Sequence, residues 1–159
     1  HSLLCIDDIK LAPHSCLRGV RSLQSISHID FPTGCDLSDC HSVGVISHTN
    51  FSKHCALTGL RNLHAFNDVT ADAGCSFSEL SSLKSFEGIA MGRSCSFWGV
   101  GIESPIEGVN FPHGTTIVFI SDSAEFVICS FGYECEVDGV DAISFTGCTP
   151  KNRWCVCRR

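Results

Sequence analysis

From position 15, every twentieth residue is Ser15, Cys35, Cys55, Cys75, Cys95, Thr115, Cys135 and Cys155, and six of these eight are cysteine. Two residues further on, the same stepping meets Leu17, Leu37, Leu57, Phe77, Phe97, Ile117, Val137 and Cys157, apolar throughout. Val20, Cys40, Leu60, Leu80, Val100, Ile120 and Val140 form a third column, and Leu3, Leu23, Val43, Leu63 and Leu83 a fourth. Ile6, Ile26, Ile46, Phe66, Phe86, Ile106 and Phe126 come next, then Ile9, Ile29, Thr49, Val69, Ile89 and Val109. A last column holds Leu11, Phe31, Phe51, Ala71, Met91, Phe111 and Phe131. Self-similarity at a fixed period is the signature of a repeat architecture.

One turn reads C-x-L-x-x-L-x-x-L-x-x-I-x-x-I-x-F-x-x-G, with inward positions spaced by two, three, three, three, three and two residues. Neither a helix, with alternating threes and fours, nor a long strand, with twos, fits a whole turn. The C-x-L and I-x-F pieces alternate like short strands, and the run of threes suits tight corners. Gly19, Gly59, Gly99 and Gly139, with Gly34, Gly74 and Gly114, mark recurring bends. Each turn is too thin to bury its own apolar face and does so against its neighbours. The reading is a β-rich repeat solenoid of about eight 20-residue turns with short parallel strands. At roughly 4.8 Å per turn it forms a rod on the order of 40 Å long.

The segments LRGVRSLQSI, LSDCHSVGVI, LTGLRNLHAF and FSELSSLKSF resemble the core of bacterial surface-type leucine-rich repeats across residues 17–86. CDLSD, CALTG, CSFSE, CSFWG and CEVDG resemble single pentapeptide repeats, which build a right-handed β-helix with twenty residues per turn. Both resemblances imply a parallel coil; the leucine-rich-repeat-like one accounts better for the run of threes. It implies protein recognition through a lateral face, and a secreted or cell-surface location.

Residues 1–146 are expected to form the solenoid. Residues 147–159, with Pro150, Trp154 and a basic end, are read as a C-terminal cap of the same domain. No N-terminal cap, signal peptide or apolar run of membrane-spanning length is recognisable. The start at His1 suggests a processed product or an excised piece of something longer. A hydrophobic fraction of 43% with only 18% charged residues excludes a generically disordered chain. A net charge of −6 disfavours nucleic-acid binding.

Of twelve cysteines, Cys35, Cys55, Cys75, Cys95, Cys135 and Cys155 share one inward column, and Cys40, Cys129 and Cys157 fall in other apolar columns. Free cysteine behaves as a small buried hydrophobe, so a stack of reduced thiols is expected. Cys5, Cys16 and Cys148 lie off these columns, and Cys5 with Cys16 could staple the first turn. A zinc set of Cys148, Cys155, Cys157 and Cys135 is disfavoured because most of it is core, and no metal or cofactor is expected. In Cys40–His41 and His54–Cys55 the neighbours point to opposite faces, which argues against Cys/His catalysis. His14 with His54, and His28 with His48, share columns and read as tolerated corner residues. None of the common nucleophile, zinc-protease or phosphate-loop motifs occurs, and an enzyme is not expected.

Three outward columns remain: Asp30, Asn50, Thr70, Ala90, Asn110 and Ser130; Ser22, Ser42, Asn62 and Ser82; and Arg18, Ser38, Thr58, Ser78 and Trp98. Asp30, Asn50, Thr70 and Asn110, with Trp98 as an aromatic anchor, are the candidate binding residues for a protein partner. The alternatives are a surface-binding or end-to-end assembling solenoid, its polar ladder facing ice, a glycan lattice or another copy, and an acidic DNA mimic.

Overall fold

A computed structural model describes residues 5–37, 39–102, 104–150 and 156–158. Its strands are short, all paired in parallel, and arranged as three walls around one apolar column. The first wall is a seven-stranded sheet of Asp36–Leu37, Ala56–Leu57, Ser76–Ser78, Ser96–Val100, Thr116–Phe119, Glu136–Asp138 and Val156–Arg158. The second holds Cys5–Asp7, Ser25–Ser27 and the leading parts of Val45–Phe51 and Ala65–Ala71. After a break at residues 85–88 it resumes with Ile106–Glu107, Ser123–Val127 and Ala142–Thr146. The third holds Asp30–Phe31, the trailing parts of Val45–Phe51 and Ala65–Ala71, then Ile89–Met91, Asn110–Phe111, Ser130–Phe131 and Thr149–Pro150. This is a parallel β-solenoid of about seven turns.

Register follows the sequence period. Leu37 pairs with Leu57, Leu57 with Phe77, Phe77 with Phe97, Phe97 with Ile117 and Ile117 with Val137. The inward residues of each wall therefore meet the corresponding inward residues of the turns above and below. Phe31 stacks on Phe51 at 4.9 Å, Phe77 on Phe97 at 5.2 Å and Phe111 on Phe131 at 5.1 Å. Edge contacts from Phe66, Phe86 and Phe126 tie these stacks together across the core.

The cysteine column is buried at Cys35, Cys55, Cys75, Cys95 and Cys135, all free thiols. Each of four thiols contacts a carbonyl oxygen of the preceding turn: Cys55 on Pro32 at 3.3 Å, Cys75 on Ser52 at 3.2 Å, Cys95 on Asp72 at 3.3 Å and Cys135 on Pro112 at 3.1 Å. Where hydroxyls replace the thiol, Ser15 and Thr115 donate instead to Ala12 O and Pro112 O of their own turn. Cys155 lies outside the described residues. Burial raises the thiols of Cys35 and Cys135 and pushes Cys40 up to about 11, with Asp39 and Asp36 adding to the effect.

Four expectations are corrected. The period is not strictly twenty: Trp98 pairs with Val118 but Val100 pairs with Phe119, so Phe119 takes the inward place and Ile120 is turned out, 61% exposed. A second 19-residue step pairs Phe126 with Phe145 and Ser130 with Thr149. That step brings Cys148 into the Cys129 column, partly buried with its thiol 3.4 Å from Phe126 O, so Cys148 packs on the core. Cys5 and Cys16 are free and exposed on different walls, so they do not staple the first turn. Ile9 is exposed, because the register 5–11 forms a strand only at Cys5–Asp7. Of the cap assigned to residues 147–159, residues 151–155 and 159 lie outside the described residues; Thr149–Pro150 and Val156–Arg158 extend the third and first walls. No helix among the described residues is long and apolar enough to cross a membrane.

Candidate functional site

The expected binding residues separate onto two walls. Asp30, Asn50, Thr70 and Asn110 form an outward ladder along the third wall, interrupted by Ala90. Much of its polarity is internally satisfied: Asn50 Nδ2 donates to Asp30 Oδ1 at 2.6 Å, and Ser130 Oγ to Asn110 Oδ1 at 2.7 Å. Trp98 stands on the first wall, half exposed, between Ser78 and Val118. The ladder and the aromatic side chain therefore do not form one surface.

Where the second wall turns into the third, the chain passes once per turn through the left-handed region. The residues there are Asp8, His28, His48, Asp68, Gly88, Gly108, Ile128 and Gly147. In the first four turns their side chains line the corner. His28 and His48 stack at 4.9 Å, His28 Nδ1 lies 3.0 Å from Asp7 Oδ1, and His48 Nδ1 lies 3.4 Å from Asp68 Oδ2. Hydrogen bonds from Ser27 and then His28 hold the Asp7 carboxyl below its ordinary value. Among the described residues no three His, Cys, Asp or Glu side chains form a group that could hold a metal.

In the next two turns the corner is bare. Beside Gly108 lies a groove of about 490 Å³ whose apolar lining is Phe86, Pro105, Ile106, Val109 and Ile128, with Glu87 and Glu107 also lining it; Gly88 borders the adjoining hollow. A second hollow of about 360 Å³ continues it toward Ala90, Met91 and Asn110 of the third wall. The two glycines look alike in sequence and differ in cause. At Gly88, a Cβ would lie 2.3 Å from Phe66 O, a backbone atom of the turn below, so glycine is a packing necessity. At Gly108, a Cβ would meet nothing within 4 Å, and the first four turns place Asp or His at a similar backbone angle. At Gly108 it is the positive φ of +65° that favours glycine, and no neighbouring atom demands it.

Ile128 bounds the groove on the far side and is anomalous in a second way. Its φ is 53°, a region that a β-branched residue occupies only under strain. The conformation costs about 1–2 kcal/mol, and with the side chain 72% exposed, burial returns little of it. Backbone strain of this kind concentrates at functional positions. Sequence reasoning missed the groove; the signal available to it was the pair Gly88 and Gly108 twenty apart, followed by Ile128 at the next step.

Compared with models of known protein families, with curated proteins and with solved structures, the chain gives no match.

Proposed function

We propose that this chain is a non-catalytic recognition scaffold that holds a protein partner against the corner between its second and third walls. The observation that carries this reading is Ile128, a strained and exposed apolar side chain lining a groove beside Gly108, where no neighbouring atom fills the space. The rest of the solenoid fits the role. Its stacked core fixes the corner residues of successive turns at a constant spacing, the rigid platform on which a binding surface is most accurately held. The resemblance to leucine-rich repeats supports the same class of function. Acidic residues such as Glu107, Glu125, Glu136 and Asp138 are spread over two walls, which favours a local contact over mimicry of a DNA duplex.

The test is selection of random-sequence peptides displayed on phage against the immobilised chain, repeated with Ile128→Asn. Asparagine tolerates the left-handed region, so the variant should gain about 1 kcal/mol of stability while losing the selected peptides. Recovery of the same peptides by both proteins, or no enrichment over bare support, refutes the reading.

A further inference from the structure

Glu87 and Glu107 stand one turn apart in sequence and both line the groove, Glu87 in the turn where the second wall is interrupted and Glu107 at the end of the strand Ile106–Glu107. No ion pair or side-chain hydrogen bond engages either of them among the described residues. Around Glu107, residues 94–150 contain eight Asp and Glu and no Lys or Arg, while Lys84 and Arg93 are the cations nearest to Glu87 along the chain. Lys84 lines a separate hollow with Ser81, Ser82 and Ile102. Two carboxylates with no ion pair among the described residues thus share the lining of the groove with Phe86, Ile106 and Val109.

Resting on the recognition reading above, we infer that the groove receives an arginine side chain from an extended segment of the partner, its guanidinium between Glu87 and Glu107 and its methylene stem on Val109 and Ile128. The match is one of shape as well as charge. Guanidinium is planar and carries five N–H donors in a fixed fork, so it can bond both carboxylates at once; an ammonium is a compact point charge and is more strongly hydrated. Long basic side chains lay their stems along apolar surface while the head stays at the polar rim, the arrangement this groove offers. The volume of about 490 Å³ accommodates that side chain and part of the backbone bearing it. The adjoining hollow toward Met91 and Asn110 leaves room for an apolar neighbour.

Ten-residue peptides with a central Arg-Leu, and the same peptides with citrulline or lysine replacing arginine, would be titrated into the isotope-labelled chain and followed by amide chemical shifts, which read millimolar binding. Saturable shifts centred on Gly88, Gly108 and Val109 are expected, with citrulline at least tenfold weaker, lysine weaker by a smaller factor, and Glu87→Gln or Glu107→Gln each weakening the arginine peptide severalfold. Gly108→Asn, which the open space tolerates, should abolish the shifts in a folded protein. Equal binding of citrulline, shifts centred on Trp98 or on the Asp30–Asn50 ladder, or no saturable shift overturns the arginine assignment. The phage selection separates that failure from failure of the recognition reading: peptides lacking arginine that still depend on Ile128 would leave the latter standing.

Discussion

Alanine placed at Gly88 and at Gly108 should have very different consequences, although the two positions are one turn apart in the same column. Both substitutions put an L-residue at positive φ, +77° and +65°, at a cost of about 1–2 kcal/mol. Both gain about 0.4–1 kcal/mol from the less flexible unfolded chain. For Gly108→Ala nothing else changes, and a net loss of about 0–1.5 kcal/mol follows from these two terms. For Gly88→Ala the new methyl lies 2.3 Å from Phe66 O, 3.1 Å from its carbon and 3.2 Å from Asn67 Cα. All three are backbone, so the turns must part by about 1 Å to restore ordinary contact, as far as the 3.4 Å at which van der Waals packing begins. That movement stretches the 2.8 Å bond from Val69 N–H to Gly88 O, worth about 1 kcal/mol. It also loosens Phe86 and Ile89, whose packing loss adds at least another 1 kcal/mol. Urea denaturation of the reduced protein, followed by circular dichroism with slopes compared as well as midpoints, should show Gly88→Ala destabilised by about 2–3.5 kcal/mol or more, about 2 kcal/mol beyond Gly108→Ala. Costs within about 1 kcal/mol of each other, or a larger cost at Gly108, would refute the distinction between a packed glycine and an open one.

Phe97→Ala removes a fully buried ring stacked on Phe77 and edge-on to Phe86, and should cost about 3–5 kcal/mol in the same denaturation experiment. Cys40 binds its proton more tightly folded than unfolded, so stability should be constant below about pH 9 and fall as pH rises toward about 11, with a shallower fall in Cys40→Ala. In native protein, Cys5 and Cys16 should react rapidly with a thiol reagent while Cys35, Cys40, Cys55, Cys75, Cys95, Cys129 and Cys135 react only on denaturation.

The core was legible because each inward column repeats one chemical type at one interval; Leu37, Leu57, Phe77 and Phe97 announce their stacking in the sequence alone. The two 19-residue steps were not, because each deletion leaves a plausible alternative in place. Phe119 and Ile120 are adjacent and both apolar, and only backbone pairing decides which one faces inward. The second step hid Cys148, which counts as off-column at a strict twenty and stacks on Cys129 at nineteen. The outward ladder was legible as a column, yet its hydrogen bonds to itself were not, since they depend on rotamers. The groove was hidden for a different reason: a glycine is a deletion of surface, and whether space or a neighbour requires it is a fact of three dimensions.

Nuclear Overhauser contacts test the stacking itself. Methyl cross-peaks between Leu37 and Leu57, ring cross-peaks between Phe77 and Phe97, and, after the second register step, contacts from Phe126 to Phe145 and not to Thr146 are the expected result. Absence of the twenty-residue contacts in a well-dispersed spectrum, or contacts placing these side chains in separate layers, would contradict the solenoid and every surface derived from it.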